Sequence, residues 1–189
     1  MPKIVDHDVR RRELIEASWD VIANSGIEGV TMRRVAAAAD CTTGRISHYF
    51  TGREALLGSA LRMAHEDAES RMVKIVAANL PIREKIKKVV FEGLPLDARR
   101  LREWKVWIVF WAAAASSRQL AEQNKSRYME WRGLLKRLLR EKCGEGHSEL
   151  MVDELLSLID GIGLRVALNP SAELRRLAKR LITDWLDRL

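Results

Sequence analysis

The sequence contains few of the residues that interrupt helices or cross-link a chain. Its 189 residues include 4 Pro, 11 Gly and 2 Cys, and aromatic residues make up 6%. Such a composition disfavours a turn-rich β-sandwich, a collagen-like repeat and a disordered chain, and two cysteines cannot build a disulfide framework. The best apolar run, residues 106–115, is about half of the roughly 20 residues that span a bilayer. With an N-terminus too polar for a signal peptide, we expect a cytoplasmic protein without membrane contacts.

The positive charge is unevenly distributed along the chain. The net charge is +7, which suggests a nucleic-acid partner, but residues 1–53 contribute only +1. Residues 99–142 hold twelve cations and four acids, a net +8 that exceeds the charge of the whole chain. Bulk basicity therefore does not locate a DNA-binding face, and local geometry must do so.

Apolar positions recur with helical spacing along nearly the whole chain, and no segment alternates as a strand does. We therefore expect an all-α protein with an N-terminal helix-turn-helix domain of three helices and a C-terminal helical bundle that dimerises. The domains are expected at 1–50 and 51–189. Helices are predicted at about 7–25, from Thr31, 43–49, 51–79, 81–93, 97–116, 118–142, 148–168 and 171–186. Thr51 and Glu54 have the spacing of a capping box, and Gly144-Glu145-Gly146 marks a turn.

The three N-terminal helices are short and close together, with a turn of three to four residues between the second and the third. A recognition helix must be narrow at its N-terminal end to enter a major groove about 12 Å wide. Residues 42–48 meet that need with small, polar and cationic side chains, while Ile46 and Phe50 supply apolar anchors. The pattern predicts a DNA-reading helix.

Three motifs carry a family resemblance: GVTMRRVA at 29–36, CTTGRISHYF at 41–50 and REALL at 53–57. Together they resemble the DNA-binding domain of the TetR family of transcriptional repressors over about residues 8–57. Residues 46–50, 107–112 and 158–165 further resemble the subgroup of choline-responsive betaine-pathway repressors, the BetI type. One departure is the turn, where Asp40-Cys41 replaces the usual Gly-Val; Asp tolerates a left-handed backbone better than most residues.

The resemblance implies a ligand-responsive repressor, acting as a homodimer on palindromic double-stranded DNA and lacking enzymatic activity. It implies base contacts from Arg33, Thr43, Gly44 and Ser47, joined by Arg45 and His48. Phosphate contacts are expected from Thr31, Thr42, Tyr49 and Arg53. The cations Arg10, Arg11 and Arg12 fit either backbone phosphates or a solvated helix start.

The second half of the chain concentrates the aromatic residues at helical spacings. If it surrounds an effector cavity, as the family implies, the candidate lining residues are Phe91, Trp104, Trp107, Phe110, Trp111, Tyr128 and Trp131. Aromatic faces bind quaternary ammonium ions, whereas the local +8 charge would suit an anionic or acyl effector. An aromatic stripe at helical spacing is more often packed core than a ligand site, and a volume of several hundred Å³ between Trp107, Trp111 and Trp131 would favour a cavity.

The last two predicted helices carry apolar faces that the family uses for a four-helix dimer interface. Gly161 and Gly163 lie within the first of these two helices, and each weakens it by about 1 kcal/mol unless close packing or ligand access compensates. Two-fold symmetry would place two reading helices about 34–36 Å apart, or a multiple of that distance.

The sequence contains few signs of metal binding or catalysis. His65 and Glu69 form an i, i+4 pair on a helix face expected to be exposed, but no third ligand accompanies them, so neither metal nor cofactor is expected. No phosphate loop or nucleophile elbow is present. Two alternatives stay open: a helix-turn-helix protein whose tryptophans fill its own core, and an all-α small-molecule-binding protein or enzyme without DNA-linked regulation.

Overall fold

The computed structural model describes residues 7–144 and 148–189, and in these ranges it contains nine α-helices and no strand. The first six residues of the predicted N-terminal domain and the predicted turn at 145–146 lie outside the described residues. The helices are α1 His7–Ser25, α2 Met32–Ala38, α3 Thr43–Ser47, α4 Arg53–Ala77, α5 Ile82–Glu92, α6 Ala98–Ala114, α7 Arg118–Cys143, α8 Ser148–Leu168 and α9 Ala172–Leu186. The all-α prediction is confirmed.

Side-chain caps set most of the observed helix starts. The hydroxyl of Thr31 accepts from the Arg34 amide at 3.2 Å, that of Thr42 from the Arg45 amide at 3.3 Å, and Asp97 from the Arg100 amide at 2.8 Å. Each bond satisfies an amide that has no partner within the helix. After α1, Gly26 adopts φ +66°, the left-handed conformation expected of a C′ glycine.

The capping box predicted at Thr51 and Glu54 is wrong. Gly52 is the N-cap of α4 and gives no side-chain cap, so the helix starts at Arg53, later than predicted. Glu54 is instead paired with Arg53 at 2.8 Å. The same guanidinium donates to the carbonyls of Ile27 and Val30, which fixes the first turn of α4 to the loop before α2.

Two apolar cores are joined by the long helix α4. The N-terminal core combines α1, α2 and α3 with the first half of α4, up to Ala64, and with Val106 of α6. The C-terminal core combines the second half of α4 with α5, α7, α8 and α9. Because α4 belongs to both cores, the N-terminal packing unit extends well past residue 50.

Helix α6 connects the N-terminal unit to the rest of the molecule through polar contacts on two sides. Toward α1, Arg102 pairs with Asp20 at 2.8 Å, and Lys105 donates to the Ala23 carbonyl at 3.3 Å. Toward α4, the fully buried Glu103 accepts two bonds from Arg71, at 3.0 and 2.6 Å. A movement of α6 must therefore break these contacts or carry α1 or α4 with it.

Candidate nucleic-acid interface and ligand cavity

The turn between α2 and α3 sets the orientation of α3 on the N-terminal core. Asp40 takes φ +47°, a left-handed conformation that Asp tolerates, as expected for the position at which the family usually has glycine. Ile46 and Phe50 are buried and hold α3 from beneath. The remaining side chains of α3 therefore face outward.

The structure presents most of the predicted DNA-contacting residues together at this surface. Exposed residues are Thr31, Arg33, Thr42, Thr43, Gly44, Arg45, Ser47 and His48, and Tyr49 is half-buried. The side chains of Arg33 and Arg45 make no hydrogen bond or ion pair with any described residue, so both guanidinium groups are available. Exposed hydroxyl and guanidinium groups are suited to base edges and phosphates.

Arg53 and the three N-terminal arginines are engaged within the protein. Three donor nitrogens of Arg53 are bound by the Ile27 and Val30 carbonyls and by Glu54. Arg10 pairs with Glu13 at 2.5 Å, and Arg12 with Asp67 of α4 at 2.5 Å. Arg11 lies over the Phe50 ring at 5.2 Å and donates to Ser59. These four cations therefore stabilise the N-terminal unit before any partner binds.

A cavity of about 560 Å³ lies between one face of α4, the tryptophan face of α6 and the middle of α7. Trp104, Trp107, Trp111, Tyr128 and Trp131 line it, which brings together five of the seven aromatics predicted for an effector site. Phe91 and Phe110 do not line it: Phe91 packs against the C-terminal core and Phe110 against the N-terminal core. The tryptophans line this space rather than filling it, which favours a cavity over a packed core.

Close packing holds the tryptophans in position. Trp104 is buried, donates its indole N–H to the Gly93 carbonyl at 3.0 Å, and meets Trp111 edge-on at 5.5 Å between ring centroids. A Cβ built on Gly163 would lie 2.2 Å from Trp104, so only glycine lets the ring approach α8 this closely. Close packing against Trp104 therefore compensates for the cost of Gly163 to the helix.

His65 also lines the cavity, contrary to the expectation that its helix face is exposed. Its ring stacks on Trp107 at 5.9 Å, and it is half-buried. Burial, together with the Arg127 charge, lowers the pKa of His65 to about 4, and Glu130 opposes the shift. His65 is therefore neutral at physiological pH. Ala68, Glu69 and Met72 follow His65 at i+3, i+4 and i+7, and this helical spacing is the signal that could have found the face.

The cavity also holds a carboxylate without a cationic partner. Asp160 of α8 lies on the wall and accepts a hydrogen bond from the Tyr128 hydroxyl at 2.9 Å, the only hydrogen bond or ion pair that it makes with a described residue. Burial raises the pKa of Asp160, while the Tyr128 bond opposes that rise. Burial and the neighbouring Asp160 charge raise the pKa of Tyr128, so the phenol stays protonated and keeps donating. The cavity therefore presents the acidic group of Asp160 among aromatic rings.

The strongly basic segment contributes little positive charge to the cavity. Arg132 pairs with Asp153 and Glu149 on α8, and Arg100 pairs with Glu92 and Asp97. The charged residues that line the cavity are the acids Glu69, Glu130 and Asp160 and the bases Arg127 and Arg137. Because Arg127 is itself paired with Glu130 at 3.3 Å, the net +8 of residues 99–142 lies mainly elsewhere.

Helices α8 and α9 expose a strip of apolar and small side chains. On α8, Leu164 is 40% and Leu168 is 71% exposed, and Gly161 lies between them and Ser157 on the same face. On α9, the partly exposed residues Leu174, Leu177 and Leu181 recur at helical spacing. Exposed apolar surface of this kind favours association with another protein surface.

The described residues contain no cluster of three or more His, Cys, Asp or Glu side chains with metal-site geometry. Among these same residues, no helix combines the length and apolarity required to cross a bilayer.

Two family models match the chain. Residues 14–60 match the model described as bacterial regulatory proteins of the tetR family, and residues 81–189 match the model described as the C-terminal part of the BetI-type transcriptional repressor. The second match alone covers more than half of the chain.

Curated relatives and solved structures extend over nearly the whole chain. The regulator PksA of Bacillus subtilis is 28% identical over 99% of this chain and 93% of its own length, and the regulator BetI of Vibrio campbellii is 28% identical over 100% and 96%. A transcriptional regulator from Rhodococcus matches with TM-score 0.82 and 25% identity, covering 94% of each chain. A regulator from Saccharomonospora viridis, solved in complex with choline, matches with TM-score 0.85 and 22% identity over 95% and 96%.

Proposed function

This chain belongs to the TetR family of transcriptional regulators, with a BetI-type C-terminal half, and from that we propose how it acts. It binds a palindromic operator as a homodimer in the cytoplasm, and it releases that operator when a small organic cation enters the cavity. The observation that carries the proposal is the Asp160 carboxylate, which lacks a cationic partner and faces a cavity walled by tryptophans.

The DNA-binding part of the proposal rests on the exposed tip of α3. Thr43, Gly44 and Ser47 are small enough to let the tip approach base edges, and the free guanidinium groups of Arg33 and Arg45 are suited to bidentate contact with guanine. Thr31, Thr42 and Tyr49 flank the tip and would contact phosphates, which fix the register. Arg53 supports this surface through the loop before α2.

The dimer part rests on the apolar strip of α8 and α9. A single five-residue helix buries too little surface for specific binding, whereas two such helices fixed by a two-fold axis read two half-sites. Pairing α8 and α9 with their copies would cover the exposed Leu164 and Leu168, and Gly161 would allow close approach. We expect Leu164→Glu with Leu168→Glu to give a monomer in analytical ultracentrifugation and to abolish operator binding. Met129→Glu, an exposed apolar residue on α7, is the matched control.

The effector part follows from the chemistry of the cavity. Each aromatic face attracts a cation by about 0.5–2 kcal/mol, and an unpaired carboxylate adds an opposite charge in surroundings that screen it poorly. The choline complex of the Saccharomonospora protein supports a quaternary ammonium ligand for this chain too. The three acids and two bases of the lining favour a cation over the anionic or acyl effector suggested by bulk charge.

Effector and operator would communicate through α4 and α6. Both helices line the cavity, and both contact the N-terminal unit, α4 by sharing its core and α6 through Arg102 and Lys105. The two conformations of the dimer would differ in the spacing of their recognition helices. A cation that binds one conformation more tightly shifts the population toward that conformation. Coupling of this kind is typically 1–3 kcal/mol, or about 5–150-fold in operator affinity.

The test is a titration of operator and non-specific DNA with the full chain, repeated at several salt concentrations and with and without choline. We expect a sequence preference, and a choline-dependent loss of operator affinity that is abolished in Asp160→Asn and kept in Glu66→Gln, an exposed acid outside the cavity. Equal affinity for both DNAs would refute the regulator. Tight choline binding without any effect on DNA would favour the small-molecule-binding alternative.

A further inference from the structure

The cavity continues beyond its aromatic part into an aliphatic part. The α4 face that lines it extends from His65 to Ala77, twelve residues or about 18 Å of helix. The cavity volume of about 560 Å³ falls within the range of sites for drug-sized ligands, roughly 300–1,000 Å³. A choline-sized ion would occupy only part of this length.

The aromatic and aliphatic parts of the lining lie at different heights along α4. His65 stacks on Trp107, in the aromatic part. The cavity residues Met72 to Ala77 lie two to three turns further along the same helix. On α7, Arg127 is close enough to lower the pKa of His65, and Leu134 and Arg137 follow about two and three turns later.

The far end is lined by aliphatic side chains and is open to solvent. Its apolar residues are Met72, Val73, Val76 and Ala77 of α4 and Leu134 of α7, and the exposed Arg137 of α7 also lines the cavity. Val73 is 58% exposed and Ala77 is also exposed, although both border a cavity. Apolar side chains held open to water in continuity with a cation site form a surface suited to an alkyl group.

We infer that this aliphatic end is a tail subsite, and that the effector is an amphipathic organic cation with an alkyl tail rather than a bare choline-sized ion. This inference rests on the proposed function, since it takes the Asp160 end as the cation site. The ammonium head lies among the tryptophans and Asp160, and the tail extends along α4 toward Ala77. Each methylene that is fully buried contributes a factor of about four in affinity.

The experiment measures binding of alkyltrimethylammonium ions to the full chain by calorimetry, with tetramethylammonium, choline and butyl, hexyl and octyl tails, all below their micellar concentrations. We expect the dissociation constant to fall about two- to fourfold per added methylene, and the operator to be released at correspondingly lower concentrations. Octyl sulfonate, with the same tail and an anionic head, is expected not to bind.

The double variant Val73→Gln with Ala77→Gln makes the tail subsite polar at two exposed positions, so the fold is preserved. We expect it to keep choline affinity within about twofold and to lose most of the octyl advantage, tenfold or more. Met129→Gln, an exposed residue outside the cavity, should keep both affinities. Choline binding with no dependence on tail length overturns the tail subsite alone, whereas binding of no ammonium ion at all overturns the cation site as well.

Discussion

Replacing Gly163 by alanine tests whether the contact between α8 and Trp104 shapes the cavity. The new Cβ would lie 2.2 Å from one carbon of the Trp104 ring and 2.3 Å from the next, distances that require the ring to move. The ring has little room, because it is 1% exposed and its indole N–H is bound to the Gly93 carbonyl.

The expected effect is a balance of three contributions. Alanine improves the helix by about 1 kcal/mol. Overpacking a dense core typically costs about 1–3 kcal/mol, and losing the bond to Gly93 costs a further 0.5–1.5 kcal/mol or so. We therefore expect Gly163→Ala to lower the free energy of unfolding by roughly 1–3 kcal/mol, with the melting temperature falling by about 2–4 °C per kcal/mol in a chain of this size.

The assay is thermal unfolding followed by circular dichroism at fixed protein concentration, together with choline binding. Gly58→Ala on α4 is the matched control, because its Cβ would meet nothing within 4 Å and only the helical gain remains. In a Trp104→Phe background, Gly163→Ala should become neutral or stabilising, since the smaller ring removes the overlap. A Gly163→Ala protein as stable as the parent, with unchanged choline affinity, would refute the reasoning.

Three further predictions concern the reading surface, the cavity histidine and the buried acid. Arg45→Ala should weaken operator binding by about 10–100-fold and non-specific binding much less, whereas Lys74→Ala, an exposed cation on α4, should change neither in a gel-shift titration. Because the folded-state pKa of His65 is about 4, below its usual value near 6.5, the unfolded chain binds the proton first. Stability should therefore fall as the pH drops from 6.5 to 4, by up to about 3 kcal/mol, and His65→Gln should remove that component in urea unfolding at each pH. Glu103→Ala should lower the free energy of unfolding by about 1–3 kcal/mol in the same assay, since it removes two of the hydrogen bonds of Arg71 and leaves that arginine with Glu92 alone, whereas Glu66→Gln should have little effect.

The exposed face of α2 and α3 could be predicted from sequence because the residues that determine it are close together in the chain. The order of cap, buried anchor and turn residue lies within residues 31–53, and a helix-turn-helix needs no distant contact to define its outward face. Asp40 at φ +47° and the hydroxyl caps at Thr31 and Thr42 are consequences of short-range geometry. Arg53 is the exception among the predicted DNA-contacting residues. Its position in the sequence did not predict that its side chain would donate to carbonyls in the loop before α2.

Helix content and the tryptophan face of α6 follow from the sequence alone, because residue spacing along one helix fixes which side chains share a face. The sequence could not tell a packed core from a cavity, since that depends on how far α4 and α7 stand apart. Nor could it bring His65, Asp160 and Tyr128 to one wall, because those residues come from three helices distant in the chain. Tertiary packing alone decided the charge of the cavity, because it paired Arg100, Arg102 and Arg132 with acids elsewhere and left Asp160 without a cation.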